Sequence, residues 1–566
     1  MNTVSRPANP VDDALDEAIS ALRNGNNPLA AAAARRATEL NPDRLEGWWL
    51  SGLAANEMWA FDEAEQALAE GIRRAPMGKP LQGGFMVQRA RALSSLGRAT
   101  ESLDMAIAAL NIGLSDAANL NMIGNVFAQA GKMADARNVL VRAVAADQTV
   151  PDYWFNLGSA QQFLGNSEAA EKSYESAISA GPHTAAHLSL ARLRRWTQSH
   201  NHIERLLSVA RRTPIDATRI GYALFKEYDD LDQRDQAWEW LQKAAWSARN
   251  QPVPAENGAW SGGRSNNQPA TQLGMWNSND ELTVVEAWQK HFPVERFSSL
   301  PPVAGRTPRR IFIVGLPRSG TTLVERILAA HSQVQALGEL QTFPLVVKRL
   351  SQSHTGPLLD ADTISAAVKK DPRIFADAYD SETAYHSDGS AFTIDKLPHN
   401  HDYVGLIRLA FPDALIVHVQ RSPMDALFGA YKLLFAYAYR WSYNQDDLAE
   451  HYANYRILMD HWRQCLAAGQ AANPLIDIKL EALIADPEAQ IRWLLDACGL
   501  PFEAACLTPH ETTGPVATAS SVQVRKPINA EGIGAWRRYE AGLAPLRGRL
   551  QSMGILDNTG DERLLE

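Results

Sequence analysis

The residues with the clearest chemical potential lie just past the middle of the chain. Arg309 to Leu316 reads RRIFIVGL, a short apolar run rich in Ile and Val, as a buried parallel strand would be. It leads into GLPRSGTT and then LVERILAAH, whose apolar Leu323, Ile327 and Leu328 fall at helical spacing. A strand, a glycine-containing loop and a helix start present backbone N–H groups and the positive end of a helix dipole to an anion. Gly315 and Gly320 permit the tight backbone, Ser319, Thr321 and Thr322 add hydroxyls, and Arg318 adds charge-assisted donors. The spacing is that of the nucleotide P-loop, but Thr321 stands at the lysine position. A triphosphate with Mg²⁺ is therefore disfavoured, and a P-loop kinase with it. The basic residue has moved forward to Arg318, which suits a shorter anion such as a 5′-phosphosulfate.

PRSGTTLVERILAAH resembles the 5′-phosphosulfate loop of sulfotransferases that use 3′-phosphoadenosine 5′-phosphosulfate (PAPS). Within them it is similar to the protein-tyrosine sulfotransferase branch, and most like bacterial proteins that fuse tetratricopeptide repeats to such a domain. The resemblance covers about Arg309 to Leu550. It implies a P-loop-like α/β domain with a parallel sheet, and a cofactor loop of Pro317, Arg318, Ser319, Gly320, Thr321 and Thr322. In ALIVHVQRSPMDALFGAYK a strand over Ala414–Val419 ends at Arg421, and a helix starts near Pro423. The resemblance gives Arg421 the 3′-phosphate. The family's serine eight residues later is Gly429 here, with Ser422 and Lys432 as substitutes nearby. VQALGELQTF implies a catalytic base at Glu339, and AFTIDKLPHN an active-site lysine at Lys396. TASSVQVRKPINAEGIGAWRRYE implies a cofactor contact at Ser520. The basic residue expected before its tryptophan is Ala535, with Arg537 and Arg538 following.

The resemblance thus assigns Glu339 as general base, Lys396 and Arg318 as stabilisers of the sulfuryl group, and Arg421 with Ser520 as holders of the 3′-phosphate. No Asp or His cluster has metal spacing, so no metal is implied. His399 and His401 read as surface polar residues.

These segments need a scaffold, and the first half of the chain supplies a repeat. With Gly158 as reference, Trp154, Leu157, Ala170, Tyr174, Ala177 and Pro182 recur in register. A shift of 34 residues gives Gly124, Ala136 and Ala143, and another gives Ala90, Ser102 and Ala109. A longer step reaches Gly52, Trp48, Ala64 and Gly71, and a further one Ala18 and Ala30. Pro214 ends a looser sixth unit, and Ala237, Leu241 and Ala244 belong to a seventh. This resembles the tetratricopeptide repeat. Small residues let paired helices approach, Gly131 and Gly165 turn between helices, and stacking buries faces that one pair cannot.

The expected architecture is multidomain. Residues 13–250 form an all-α tetratricopeptide-repeat solenoid, 251–300 a linker rich in Asn, Gly, Pro and Ser, and 301–555 the sulfotransferase domain. TVVEAWQKHF within the linker fits one short helix. The repeats are expected to recruit an acceptor whose hydroxyl is sulfated, a protein or peptide tyrosine being favoured. The competing reading is a repeat scaffold whose second domain has weak or lost cofactor binding, motivated by Gly429 and Ala535.

Composition bounds these readings. The 566 residues are 45% hydrophobic and 21% charged, enough for large cores. A net charge of −9 with no strongly basic half argues against nucleic acid as partner. No uncharged apolar run suits a membrane helix, and MNTVSRPANPVDDALDEA lacks a secretory apolar core. Three cysteines exclude a disulfide framework, so a cytoplasmic setting is expected.

Overall fold

A computed structural model describes residues 9–212, 217–251, 276–298, 306–353, 355, 357–435, 438–468, 474–512, 514, 523–557, 559 and 562–563. The first domain is a run of antiparallel helix pairs. These are α1 (Pro10–Arg23) with α2 (Asn27–Leu40), α3 (Leu45–Glu57) with α4 (Phe61–Arg74), and α5 (Pro80–Ser95) with α6 (Ala99–Asn111). Then come α7 (Ala117–Gln129) with α8 (Met133–Ala146), and α9 (Pro151–Phe163) with α10 (Ser167–Ala180). The run continues through α11 (Thr184–Arg192) and α12 (Ile203–Arg212) to the pair α13 (Ala217–Asp230) and α14 (Arg234–Asn250).

The repeat register has a steric cause. A Cβ on Gly158 would lie 2.7 Å from the Tyr174 ring, and one on Gly124 would lie 2.6 Å from Leu140. Only glycine lets the two helices of a pair close to this distance. Ala30, Ala64, Ala136 and Ala170 answer from the second helices, all fully buried. Ala237, Leu241 and Ala244 are buried on α14, as a seventh unit requires. Pro214 lies outside the described residues.

The segment expected as a linker is largely something else over its described part. α15 (Ser278–His291) and α16 (Val294–Ser298) pack on the long α23 (Gln445–Ala468), with Val285, Trp288, Phe292 and Phe297 buried. Trp288 meets Trp462 edge-on, with ring centroids 5.6 Å apart. Apolar side chains at helical spacing found a partner surface, so residues 278–298 are part of the second domain's core. Residues 252–275 lie outside the described residues.

That second domain alternates strands and helices. In chain order it runs β1 (Arg309–Gly315), α17 (Thr321–Ala329), β2 (Val334–Ala336), α18 (Thr342–Ser351), α19 (Ala361–Ala367), α20 (Arg373–Thr383) and β3 (Phe392–Asp395). It continues with α21 (Val404–Ala410), β4 (Leu415–Gln420), α22 (Pro423–Tyr431), α23, β5 (Ile476–Lys479), α24 (Leu480–Ala485), α25 (Pro487–Ala497) and α26 (Ala544–Ser552). The sheet order is β2-β3-β1-β4-β5, and every pairing is parallel. Ile311 pairs with Ile394 on one side and Leu415 on the other. Alternate residues of β1 enter two cores. Ile311 and Ile313 face one, and Phe312 and Val314 the other.

The second of these cores does not stop at the domain. It runs on into Leu188, Tyr222, Phe225, Leu241 and Ala244 of the solenoid. The solenoid also meets the domain along its interhelical turns. A Cβ on Gly97 would meet Leu345 at 2.8 Å, one on Gly131 would meet His386 at 3.2 Å, and one on Gly165 would meet Arg525 at 2.7 Å. Lys132 donates to the Tyr385 carbonyl at 2.9 Å, and Arg525 to the Phe163 carbonyl at 3.0 Å. Trp238 stacks on Tyr539 at 5.7 Å, and Arg249 forks onto Asp447 with two 3.0 Å bonds.

Candidate active site

Parallel strands end on one side, and the expected site residues follow those ends. The loop Leu316–Gly320 leaves β1, Glu339 follows β2, Lys396 follows β3 and Arg421 follows β4. The connection reverses direction around β1, so the crevice beyond β3, β1 and β4 is where an open α/β sheet binds ligands.

The loop is held in an uncommon backbone. Arg318 has φ +71° and Gly320 φ +103°, the left-handed region that glycine tolerates and arginine rarely adopts. A Cβ on Gly320 would also strike Leu480 at 2.7 Å. A Cβ on Gly315 would strike the Val419 carbonyl at 2.6 Å. Pro317, Ser319, Thr321 and Thr322 are buried around this turn. Ser319 is 1% exposed, and its Oγ has no hydrogen-bond partner among the described residues. An orphaned hydroxyl beside the first turn of a helix, where backbone N–H groups lack intrahelical acceptors, fits an anion with several oxygens.

Arg421 Nη1 donates to the Arg318 carbonyl at 2.7 Å, and its Nη2 to the Gly532 carbonyl. Its buried Nε has no partner among the described residues. Arg318 reaches Gln523, so both arginines bridge the loop to the C-terminal segment. Burial, with the Arg421 and Arg192 guanidiniums, holds Arg318 down at about 10. Burial lowers Arg421 as well. Lys432 stands in the same field, and burial brings it to about 8, with Arg318, Arg421 and Arg538 also repelling the proton. The departure at Gly429 has a steric reason. A Cβ there would lie 2.9 Å from the Arg318 Cβ, so Arg318 fills the space of the family's serine side chain. Arg538 is not a substitute for a basic residue at Ala535. It pairs with Asp229 at 3.1 Å and Asp232 at 2.7 Å on the solenoid. Ser520 lies outside the described residues.

Glu339 and Lys396 come together directly. Lys396 Nζ donates to Glu339 Oε1 and lies 3.8 Å from Glu325 Oε2, while its backbone N–H donates to the Gly338 carbonyl at 3.0 Å. Lys396 is fully buried, and Glu325 is 5% exposed. Burial raises the Glu325 carboxyl despite the Lys396 charge. Asp395, beside it, is pushed up to about 7 by burial and accepts from Tyr379 Oη at 2.9 Å. His401 is buried rather than surface-borne. It packs edge-on against Tyr455 at 5.0 Å, and Asp402 binds the half-buried His399 at 2.7 Å. Tyr439 stacks on His399 at 5.8 Å and is raised by burial and by Glu339.

Sequence reasoning missed Glu325, Asp395, Tyr439 and Arg192. The signal for Glu325 was a charged residue inside an apolar helix, between Val324 and Ile327. The others had no local signal. Among the described residues, no group of three or more His, Cys, Asp or Glu side chains converges as a metal site would. No helix among them is long and apolar enough to cross a membrane.

Residues 308–504 match a family model described as Sulfotransferase family. Residues 15–80 and 121–183 match one described as Tetratricopeptide repeat. A protein of Aquifex aeolicus, described only as uncharacterized, is 36% identical over 257 residues, covering 43% of this chain and 32% of that protein. The chain thus matches about a third of that relative's length. Protein-tyrosine sulfotransferase 1 of Danio rerio is 25% identical over 260 residues, covering 42% of this chain and 71% of the relative. Protein-tyrosine sulfotransferase A of Caenorhabditis elegans is 23% identical over 244 residues, covering 41% and 62%.

Proposed function

Because the chain joins tetratricopeptide repeats to a sulfotransferase-family domain, we propose that it transfers a sulfuryl group from PAPS to an acceptor hydroxyl. The observation that carries this reading is the meeting of two pairs at the strand ends, Arg318 with Arg421 and Glu339 with Lys396. The first pair and the orphaned Ser319 Oγ suit a phosphosulfate, and the second suits proton transfer at its end. The donor supplies the activated sulfuryl group. Glu339 takes the acceptor's proton as the acceptor oxygen bonds to sulfur and the bond from sulfur to the bridging oxygen breaks. General base catalysis of this kind is typically worth about 10²–10⁴-fold.

Lys396 has two carboxylates near it, and this gives Glu325 a task. When Glu339 gains the proton it no longer balances the ammonium, but the buried Glu325 at 3.8 Å still does. Lys396 therefore stays charged and directs a donor at the bridging oxygen. Arg318 and the N–H groups of the loop hold the 5′-phosphate, and Arg421 the 3′-phosphate, with Ser520 a further proposed contact. No metal is needed for these roles. The repeats present the acceptor, a protein or peptide tyrosine being favoured by the relatives.

Incubation with PAPS and candidate acceptors, followed by mass spectrometry for one added sulfuryl group, tests the reaction. Glu339→Gln is expected to lower turnover by about 10²–10⁴-fold while adenosine 3′,5′-bisphosphate binds as in the parent. Equal loss of both would remove Glu339 from the base role. Ligand at ~100 Kd should add roughly 2.7 kcal/mol to stability. No rise in melting temperature would favour a scaffold without cofactor binding.

A further inference from the structure

One cation near the loop does not come from the sulfotransferase-family domain. Arg192 ends α11 of the solenoid. Its neighbours Leu188 and Ala191 lie in the core that the two domains share, with Phe428 and Tyr431 of α22. Tyr222 of α13 carries the same seam further, donating to the Tyr431 carbonyl at 3.3 Å with its ring 6.4 Å from Tyr443. Tyr431 lies two residues beyond Gly429, the residue that abuts Arg318. The Arg192 guanidinium lies within electrostatic reach of Tyr222, Tyr443 and Arg318. Among the described residues the Arg192 guanidinium makes no hydrogen bond and no ion pair, and its Nη2 is buried without a partner.

A half-buried guanidinium whose Nη2 is sealed from solvent with no acceptor or counter-charge is costly. Among the described residues, three other cations of the site have hydrogen-bond acceptors within the chain. Arg421 holds two carbonyls, Arg318 holds Gln523, and Lys396 holds Glu339. Lys432 at least lies over the Phe428 ring at 5.1 Å. Among the described residues Arg192 is left with a buried Nη2 that nothing receives, and its charge acts on Arg318 of the loop.

We infer that Arg192 is the solenoid's own contribution to the anion site, donating with Arg318 to one tetrahedral oxyanion at the seam between the domains. This rests on the reading of the loop as a phosphosulfate site, and it makes the first domain part of the site rather than only a recruiter. The oxyanion has two sources, a phosphate of the nucleotide or its sulfuryl group.

The test uses the full chain, with Arg192→Met, Arg192→Lys and Arg318→Ala compared by calorimetry and thermal melting. Without ligand, Arg192→Met is expected to melt higher than the parent, because a side chain of similar length loses an unpaired charge. It is expected to bind PAPS about tenfold more weakly, as fits the loss of a charge-assisted hydrogen bond. A parallel loss for adenosine 3′,5′-bisphosphate assigns a phosphate, and an unchanged bisphosphate affinity assigns the sulfuryl group. Arg192→Lys should fall between parent and Met, and it decides alone if the Met variant does not fold. Unchanged affinity for both nucleotides in the Arg192 variants, with Arg318→Ala weakened, overturns the inference and leaves the loop reading intact. If the parent binds neither nucleotide, the loop reading fails. Inorganic sulfate then decides for Arg192: a sulfate-induced melting shift lost in Arg192→Met supports it, and a retained or absent shift overturns it.

Discussion

Lys432 and Gly429 lie a turn apart on the same stretch of chain, and each sets a limit on the proposed anion site. The Lys432 ammonium is held at about 8 by burial, well below its ordinary 10.5. Below that pH the folded protein carries the charge at a cost. Between about 8 and 10.5 the unfolded chain still binds its proton while the folded one releases it, so this group's contribution to stability rises with pH there. Binding of the proposed anion by this ammonium would run the other way. Bisphosphate affinity is expected to fall as pH rises through about 8, and Lys432→Met should flatten that part of the profile. An unchanged profile in the variant would separate Lys432 from the ligand. Gly429→Ser restores the family pattern on paper but drives a side chain into Arg318, whose Cβ is 2.9 Å from where the new Cβ would be. Overpacking of this kind costs about 1–3 kcal/mol. The variant should melt lower and bind the bisphosphate less tightly, and tighter binding would show that the loop can yield.

Among the elements, β1 and its loop were legible because strand, glycine and helix follow one another without interruption. Arg309–Gly315 is the central strand, and the helix begins at Thr321. The glycine register of the repeats was legible for a similar reason, since each glycine answers a side chain in its partner helix. Glu339 and Lys396 could be named only through resemblance. Their ion pair depends on β2 and β3 lying side by side, and no local pattern encodes that. Glu325, Lys432 and Arg192 gain their meaning from neighbours far along the chain. α15 was half legible. Val285, Trp288 and Phe292 make a helical stripe, but the polar residues around them suggested a linker. Trp288→Ala is expected to cost about 3–5 kcal/mol in urea unfolding, because the indole is fully buried between Phe292 and Trp462. Its Nε1 has no partner among the described residues, so Trp288→Phe should cost much less. A near-neutral Trp288→Ala would return this helix to a linker role.

At the scale of the molecule, the shared core makes the two domains thermodynamically one. Leu188, Tyr222 and Leu241 are buried with Phe312, Phe428 and Leu543. Calorimetry should show one cooperative transition, and Trp238→Ala, by removing the ring stacked on Tyr539, should lower it as a whole. Two separable transitions would contradict the shared core. The seam is also periodic. Gly97, Gly131 and Gly165 stand 34 residues apart, and each meets a different feature of the second domain, Leu345, His386 and Arg525. Inserting or deleting one repeat between them would carry every later turn to the wrong counterpart. Among the described residues, α1 to α4 share no hydrogen bond or ion pair with the second domain. Units could be gained or lost there with the seam undisturbed. The solenoid is therefore a handle of adjustable reach on a fixed mount, free to change length only at its far end.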